Sequence, residues 1–493
     1  MANPVRFDSA PTSGKITFEQ LVDWATTPAQ SGLKLYGWSA LIAYDLDALN
    51  QGWKAIENTP TPPGETDELK GKIQLSEQSF VQLFGTLGRS MLYFDPSARM
   101  DDVTLRRHIE ELKVLKFDKS PNSTESALSR VDSHRSASRY LSITAQNPKF
   151  SYTAQNKVNF EWDEAYYDAP YEDAYFSLLF RELCREYYEN DANKRKLAIG
   201  GFRPEHQGVI KPLSFRTHYY KDSSQVIAYI TLDNNEGAIP LEHPQIQVTL
   251  LTASAVVDRR ASSAIPGDFN QLPQLLLPHA TFNMKAANTA APKDYVSAYN
   301  TNATNSQKSS APAYDANPIS ALITAGQRVT LSVSPAPPAV TWTLQEGHKG
   351  RLNLEDGEWR YYAPTDFDPA EIAIVDTATT KLDGQVHHSV LVTPNPRAIS
   401  NGHFKFSKSA ENLKLDLYAQ DWEGEILIPT NEVDWKVVNG NGSIIDGVFY
   451  PSANTPSDFS IVQAFEKNTP RGGAVAVAII PVPFISVDDM LNN

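Results

Sequence analysis

At 493 residues the chain is long enough for roughly three to four domains, and 41% hydrophobic residues suffice to give each a core. Its net charge of −14 excludes the basic surface that nucleic acid requires and disfavours broad attraction to anionic lipid headgroups. The single cysteine, Cys184, excludes any intrachain disulfide.

The opening Met1-Ala2-Asn3-Pro4-Val5-Arg6-Phe7 lacks the charged-then-apolar pattern of a secretory signal, and no apolar run reaches the roughly 20 residues that span a bilayer. The expected location is therefore the cytoplasm, or outside after export without a cleaved signal peptide. Residues 1–30 read as an N-terminal arm with one short helix, Phe18 to Trp24. An α+β domain is expected over 31–280. It opens with a strand at Leu41-Ile42-Ala43-Tyr44. Asp45 then caps a helix whose Leu46, Leu49, Trp53 and Ile56 share one face. Pro60, Pro62, Pro63 and Gly64 end it.

Between 68 and 117 strands are expected around a helix from Asp102 to Leu115. Leu105, Ile109, Leu112 and Leu115 would form its apolar stripe, and Arg106, Arg107, Glu110 and Glu111 its wet side. Residues 118–138, rich in serine, read as a loop, and several strands should follow between Tyr140 and Trp162. A long helix is expected from Tyr171 to about Lys196, with Phe176, Leu179, Phe180, Leu183 and Tyr187 inward and Gly200-Gly201 stopping it. Strands follow at Leu213–Tyr220, Gln225–Leu232 and Ile246–Val257. Residues 281–317 turn polar and read as a connector or long loop. The apolar run Ala474 to Phe484, broken by Pro481 and Pro483, reads as a closing strand.

The last third repeats itself. Val340-Thr341-Trp342, Gly350, Tyr361-Tyr362-Ala363-Pro364 and Ile372–Val375 recur as Val433-Asp434-Trp435, Gly442, Tyr450-Pro451 and Phe459–Val462. This pattern resembles tandem bacterial Ig-like modules, and it implies two β-sandwiches, over 318–396 and 397–493, each with a core tryptophan. Trp342 and Trp435 could instead stack on sugar; the core role is the expectation taken here. Thr393-Pro394-Asn395-Pro396 makes a stiff join. A second likeness rests on Tyr36-Gly37-Trp38-Ser39-Ala40-Leu41-Ile42-Ala43-Tyr44 followed by the helix carrying Asn50, with Pro212-Leu213-Ser214-Phe215 and Val226-Ile227-Ala228-Tyr229-Ile230 further on. These segments are similar to tubular lipid-binding (TULIP) proteins of clostridial neurotoxin gene clusters. The resemblance implies a groove for acyl chains within about residues 30–260; the alternative is that Tyr36 and Trp38 simply fill a core.

Catalytic constellations are weak. No phosphate-binding glycine loop, nucleophile elbow or zinc helix is present. His387-His388 are neighbours, but on a strand they face opposite sides and cannot easily share a metal. Cys184 sits in an apolar helical stretch and reads as a buried, inert thiol. The acidic aromatic segment 161–173 could line a glycosidase cleft or gather Ca²⁺, yet it also suits a helix entry. Asp45 and Asp47 read as a helix start, not as a metal motif.

The fold class expected is multidomain α+β and all-β: an N-terminal α+β region with a curved antiparallel sheet, then two Ig-like sandwiches. The function expected is non-catalytic binding. The N-terminal region would hold a hydrophobic ligand, a lipid for example, or a protein partner, and the sandwiches would act as spacer or docking surface. No catalytic, cofactor or metal residue is assigned. The alternatives are a carbohydrate-active enzyme using 161–173 and a structural or toxin-complex component.

Overall fold

The computed structural model describes residues 16–17, 19–21, 35–56, 61, 65–97, 99, 101–119, 126–134, 140–152, 157–169, 174–201, 213–231, 236–240, 253–258, 269–278, 282–286, 294–301, 314–334, 336–337, 339–398, 402–420, 424–452, 459–467 and 473–491. The fold is mostly β, arranged in several sheets, and helices are few. The chain forms two compact units. The first comprises 1–67, 88–108 and 138–310, and the second 68–87, 109–137 and 311–493.

The first unit is built on a nine-stranded antiparallel sheet. Its strands run in the order Lys196–Gly201, Lys157–Glu161, Lys149–Tyr152, Leu213–Tyr220, Gln225–Thr231, β1 (Ala40–Asp45), Ala253–Asp258, Asp294–Thr301, Phe282–Ala286. The central strands are sheathed on both faces, so β-branched and aromatic residues run continuously along them instead of alternating with polar ones. Every residue of Gln225–Thr231 is buried, and so is β1 from Ala40 to Tyr44. Leu41, Ala43, Ile227, Tyr229 and Val256 cluster with Trp38, Leu35, Leu21 and Ile16. On the opposite face Tyr44 donates a hydrogen bond to the Pro273 carbonyl at 3.1 Å. Asp45 caps α1 (Leu46–Lys54) as expected, its Oδ1 accepting from the Ala48 N–H at 3.0 Å, and Leu46, Leu49, Trp53 and Ile56 are buried.

Three expected elements take other forms. The Asp102–Leu115 helix is instead part of a long strand. After β2 (Asp67–Ser76) and β3 (Ser79–Tyr93), β4 runs from Asp102 to Lys119. Leu105, Ile109, Leu112 and Leu115 satisfy a helical stripe, but Val103, Leu105, Arg107 and Ile109 also alternate with period two, and burial follows the second pattern. The serine-rich 118–138 contains β5 (Ser126–His134), which pairs with β4 from Leu112 to Lys119. The segment 281–317 contributes Phe282–Ala286 and Asp294–Thr301 to the nine-stranded sheet, where backbone pairing compensates for its lack of aliphatic residues. The long helix is α2 (Ala174–Glu189). It ends before a short 3₁₀ turn, and Gly200 and Gly201 belong to the edge strand that follows, beside a bulge. Most of the expected Phe18–Trp24 helix, residues 60 and 62–64, and 246–250 lie outside the described residues.

The second unit holds the two sandwiches. In the first, a four-stranded sheet containing Arg328–Ser334 and Glu358–Tyr362 faces one containing Ala373–Leu382 and Gln385–Pro394, around a core of Leu331, Val333, Trp342, Tyr361, Ala378 and Leu391. Ser320–Leu322 runs parallel to Gln385–Pro394 and antiparallel to β5, with Ser320 opposite Val131, so the sheet draws on residues far upstream in sequence. In the second, Gly402–Ser409, Asn412–Gln420, Val448–Pro451 and Gly442–Ile445 face Val433–Asn439, Ser460–Glu466 and Val475–Ile480. Leu413, Leu415, Leu417, Phe449, Ile461 and Ile479 fill the space between.

Candidate ligand cleft of the first unit

The Tyr-Gly-Trp segment leads into β1 through a turn in which Tyr36 (φ 55°) and Gly37 (φ 92°) are both left-handed. Trp38 follows with its Nε1 donating to the Ala238 carbonyl at 3.0 Å and its ring 5.7 Å from Tyr229. Trp38 is thus a core residue, and the turn sets where β1 and α1 begin. Asn50, on the outward side of α1, clamps the end of β3: its Nδ2 donates to the Phe94 carbonyl at 2.9 Å, and the Phe94 N–H donates to its Oδ1 at 3.1 Å. Gly52 closes the fit from below, since a Cβ there would come within 2.7 Å of Leu277.

Between this helix and the strand end lies a cleft of about 360 Å³, within the roughly 300–1,000 Å³ usual for small-molecule sites. Trp53, Met91 and Leu92 give it an apolar floor, and Asp47, Lys54 and Tyr140 stand around it. The Arg106 guanidinium lies 3.7 Å above the Tyr93 ring, which holds a cation at the mouth. The arrangement offers an apolar slot lined by two cations, Arg106 and Lys54, and one carboxylate, Asp47.

The next residue along β4 points the other way. Arg107 is 1% exposed, where the expectation had placed it on a wet helix face. Its Nε and Nη2 donate to the Gly88 carbonyl at 3.0 and 2.7 Å, Nη2 also to the Glu65 carbonyl at 3.2 Å, and Nη1 to the Tyr188 hydroxyl at 3.3 Å and to the Asp67 carboxylate. Burial opposes its charge, but Tyr188 and Asp67 more than offset this, so its pKa is raised. Arg107 braces α2 against the strands; its donors are spent internally. The signal for it in the sequence was the period-two alternation around it.

A second polar network lies on the Trp38 side of the sheet. His218 Nδ1 is 2.5 Å from Asp101 Oδ1, and its ring meets Tyr220 edge-on at 4.4 Å. The Tyr220 hydroxyl lies 2.5 Å from that of Tyr229 and donates to the Pro240 carbonyl at 2.8 Å. Burial pushes Tyr220 up to about 12 and Tyr229 further still, which keeps both protonated.

The acidic aromatic segment splits by alternation. Trp162 and Tyr167 are buried, and Tyr167 stacks on Tyr188 at 5.9 Å. Glu164, Tyr166 and Asp168 are exposed. Glu161 accepts from Ser151 at 2.6 Å and pairs with Lys196 at 2.8 Å. Burial pushes its pKa up, but these partners outweigh burial and hold it below the usual range. Residues 170–173 lie outside the described residues. Cys184 is fully buried and its thiol pKa is pushed far up by desolvation. Trp342 is 2% exposed in its core, whereas Trp435 is partly buried and stacks on Phe404 at 5.9 Å. His387 and His388 lie on the strand Gln385–Pro394. Among the described residues no group of three or more His, Cys, Asp or Glu is placed to hold a metal, and no helix is long and apolar enough to cross a membrane.

No protein-family model and no curated protein matches this chain. Solved structures similar to it include P47 of Clostridium botulinum E1, at 10% identity over 91% of this chain and 81% of that one, with a TM-score of 0.27. P47 from Clostridium botulinum A2 is similar at 8% identity over 92% of this chain and 84% of that one, with a TM-score of 0.25. Human protocadherin-24 EC1-2 covers 34% of this chain with 94% of its own length, at 11% identity and a TM-score of 0.14. The structural neighbours thus include P47 proteins over most of the chain and a two-module protocadherin fragment over a third of it. At TM-scores this low they transfer no function.

Proposed function

We propose that this chain is a non-catalytic binding protein whose first unit takes an apolar or amphipathic ligand, such as a lipid, into the cleft beside α1. The observation that supports this is the pairing of an apolar floor, Trp53, Met91 and Leu92, with a cation held at the mouth by Arg106 over Tyr93. An amphiphile with a negatively charged head would match both. The C-terminal sandwiches, over 318–396 and 397–493, serve in this reading as spacer or docking surface.

Native mass spectrometry of the purified full chain, followed by organic extraction, tests the reading. A stoichiometric amphiphile is expected, together with uptake of a fluorescent fatty-acid probe that weakens about ten-fold in Arg106→Ala, the loss of roughly 1.4 kcal/mol. A chain that carries nothing and takes up no probe would overturn it.

A further inference from the structure

The second unit contains a larger cleft, about 490 Å³, formed where the first sandwich meets the Asn439–Asn441 turn of the second. That turn is closely packed. Gly440 has φ +93°, and a Cβ on it would lie 2.5 Å from the Phe459 carbonyl oxygen and from Ser460 Oγ, so the backbone is seated directly on its neighbour. Across from it the pairing of Ser320–Leu322 begins only at Val390, which leaves the stretch at His387 and His388 beyond that pairing. Both histidines therefore reach the cleft although they alternate along the strand.

The lining is chemically uniform. Three amides (Gln345, Asn439 and Asn441), two imidazoles (His387 and His388), one hydroxyl (Thr377) and one carboxylate (Asp315) supply its polar side chains. Among the described lining residues there is no lysine or arginine. His387 stands edge-on to Tyr314 at 6.2 Å, and its Nε2 is buried without a hydrogen-bond partner. Burial lowers its pKa, which favours the neutral ring. Beside these groups Val386 is 53% exposed, an apolar surface inside a polar rim.

We propose that this cleft binds a neutral carbohydrate. A sugar hydroxyl donates and accepts at once, and amides, imidazoles, a hydroxyl and a carboxylate answer both needs. Its C–H face requires a small apolar patch, which Val386 provides. Phosphate, sulfate and other anions would face Asp315 with no lining lysine or arginine to neutralise them, in a chain of net charge −14.

Saturation-transfer NMR of the full chain tests this, with a panel of neutral hexoses, N-acetylhexosamines and their oligosaccharides, and with sialic acid and glucose 6-phosphate as anionic controls. Transfer to at least one neutral sugar is expected, with affinity falling about ten-fold in the Gln345→Ala/Asn439→Ala double variant as two neutral hydrogen bonds are lost. His388→Ala, at an exposed position, should weaken binding with an unchanged melting temperature, and it carries the test if the double variant does not fold. Silence from every neutral sugar, binding indifferent to both variants, or preference for the anionic controls would each overturn the proposal. The outcome is independent of the fatty-acid experiment, which reads the first unit.

Discussion

The two sandwiches share one local constraint and resolve it with different chemistry. In each, a glycine lies under an aromatic ring: a Cβ on Gly350 would come within 2.4 Å of Tyr361, and one on Gly442 within 2.5 Å of Phe449. In the first, the ring carries a hydroxyl that donates to Asp376 Oδ2 at 2.7 Å, and the same carboxylate accepts from the Gly350 N–H at 2.6 Å and the Lys349 N–H at 3.1 Å. Asp376 is 2% exposed and Tyr361 wholly buried. In the second, Phe449 sits among Leu413, Leu415, Leu417 and Ile461 with no polar group to satisfy. The first copy is therefore held by a buried acceptor with three donors, the second by apolar packing. A network of this kind stabilises only while it is complete.

The largest expected effect breaks that network. Asp376→Ala strands a buried hydroxyl and two N–H groups and should cost about 3–4 kcal/mol. Hydrogen exchange in the Ala373–Pro394 hairpin would report it, and a loss below about 1 kcal/mol would show that the carboxylate is not what holds this copy. Gly350→Ala and Gly442→Ala should each cost about 2–3 kcal/mol by overpacking, measured by denaturant unfolding. Similar losses would confirm the shared geometry, and a harmless change in either would separate the copies. Smaller effects come from exchanging the rings. Tyr361→Phe should lose about 2 kcal/mol because its hydroxyl bonds a carboxylate, and Phe449→Tyr about 1–2 kcal/mol because its hydroxyl would be buried without a partner.

The smallest is a pH effect confined to the first copy. Burial, and then Asp376, raises the Tyr361 pKa above its ordinary value. The unfolded chain therefore releases this proton first. The stability is fully present below about pH 10, the unfolded value, and is lost as pH rises from there toward the raised folded value. Melting temperatures between about pH 8 and 11 should fall less steeply in Tyr361→Phe than in the parent; equal slopes would sink the idea.

Much of this was local enough to be read from the chain. Asp45 before an apolar helical face gave α1, strand-like apolar and aromatic runs gave Leu213–Tyr220 and Gln225–Thr231, and an apolar helical setting gave the buried Cys184. The repeat was legible too, although Tyr450, read as its recurring ring, is 41% exposed while Phe449 is the buried one. The candidate cleft was legible only in part. The helix carrying Asn50 was visible, but its partner, the Phe94 backbone, lies 44 residues away.

By itself the sequence determined which segments are apolar and where α1 begins, because these depend on neighbours within a turn or two, and its repeat assigned Trp342 to a core. Only the tertiary structure decided which groups complete Arg107, that the polar 281–317 contributes strands, and that amides and histidines distant in sequence share one cleft. Each of those depends on groups brought together across the chain: Arg107 is completed by Glu65, Asp67, Gly88 and Tyr188, and no local periodicity encodes such partners.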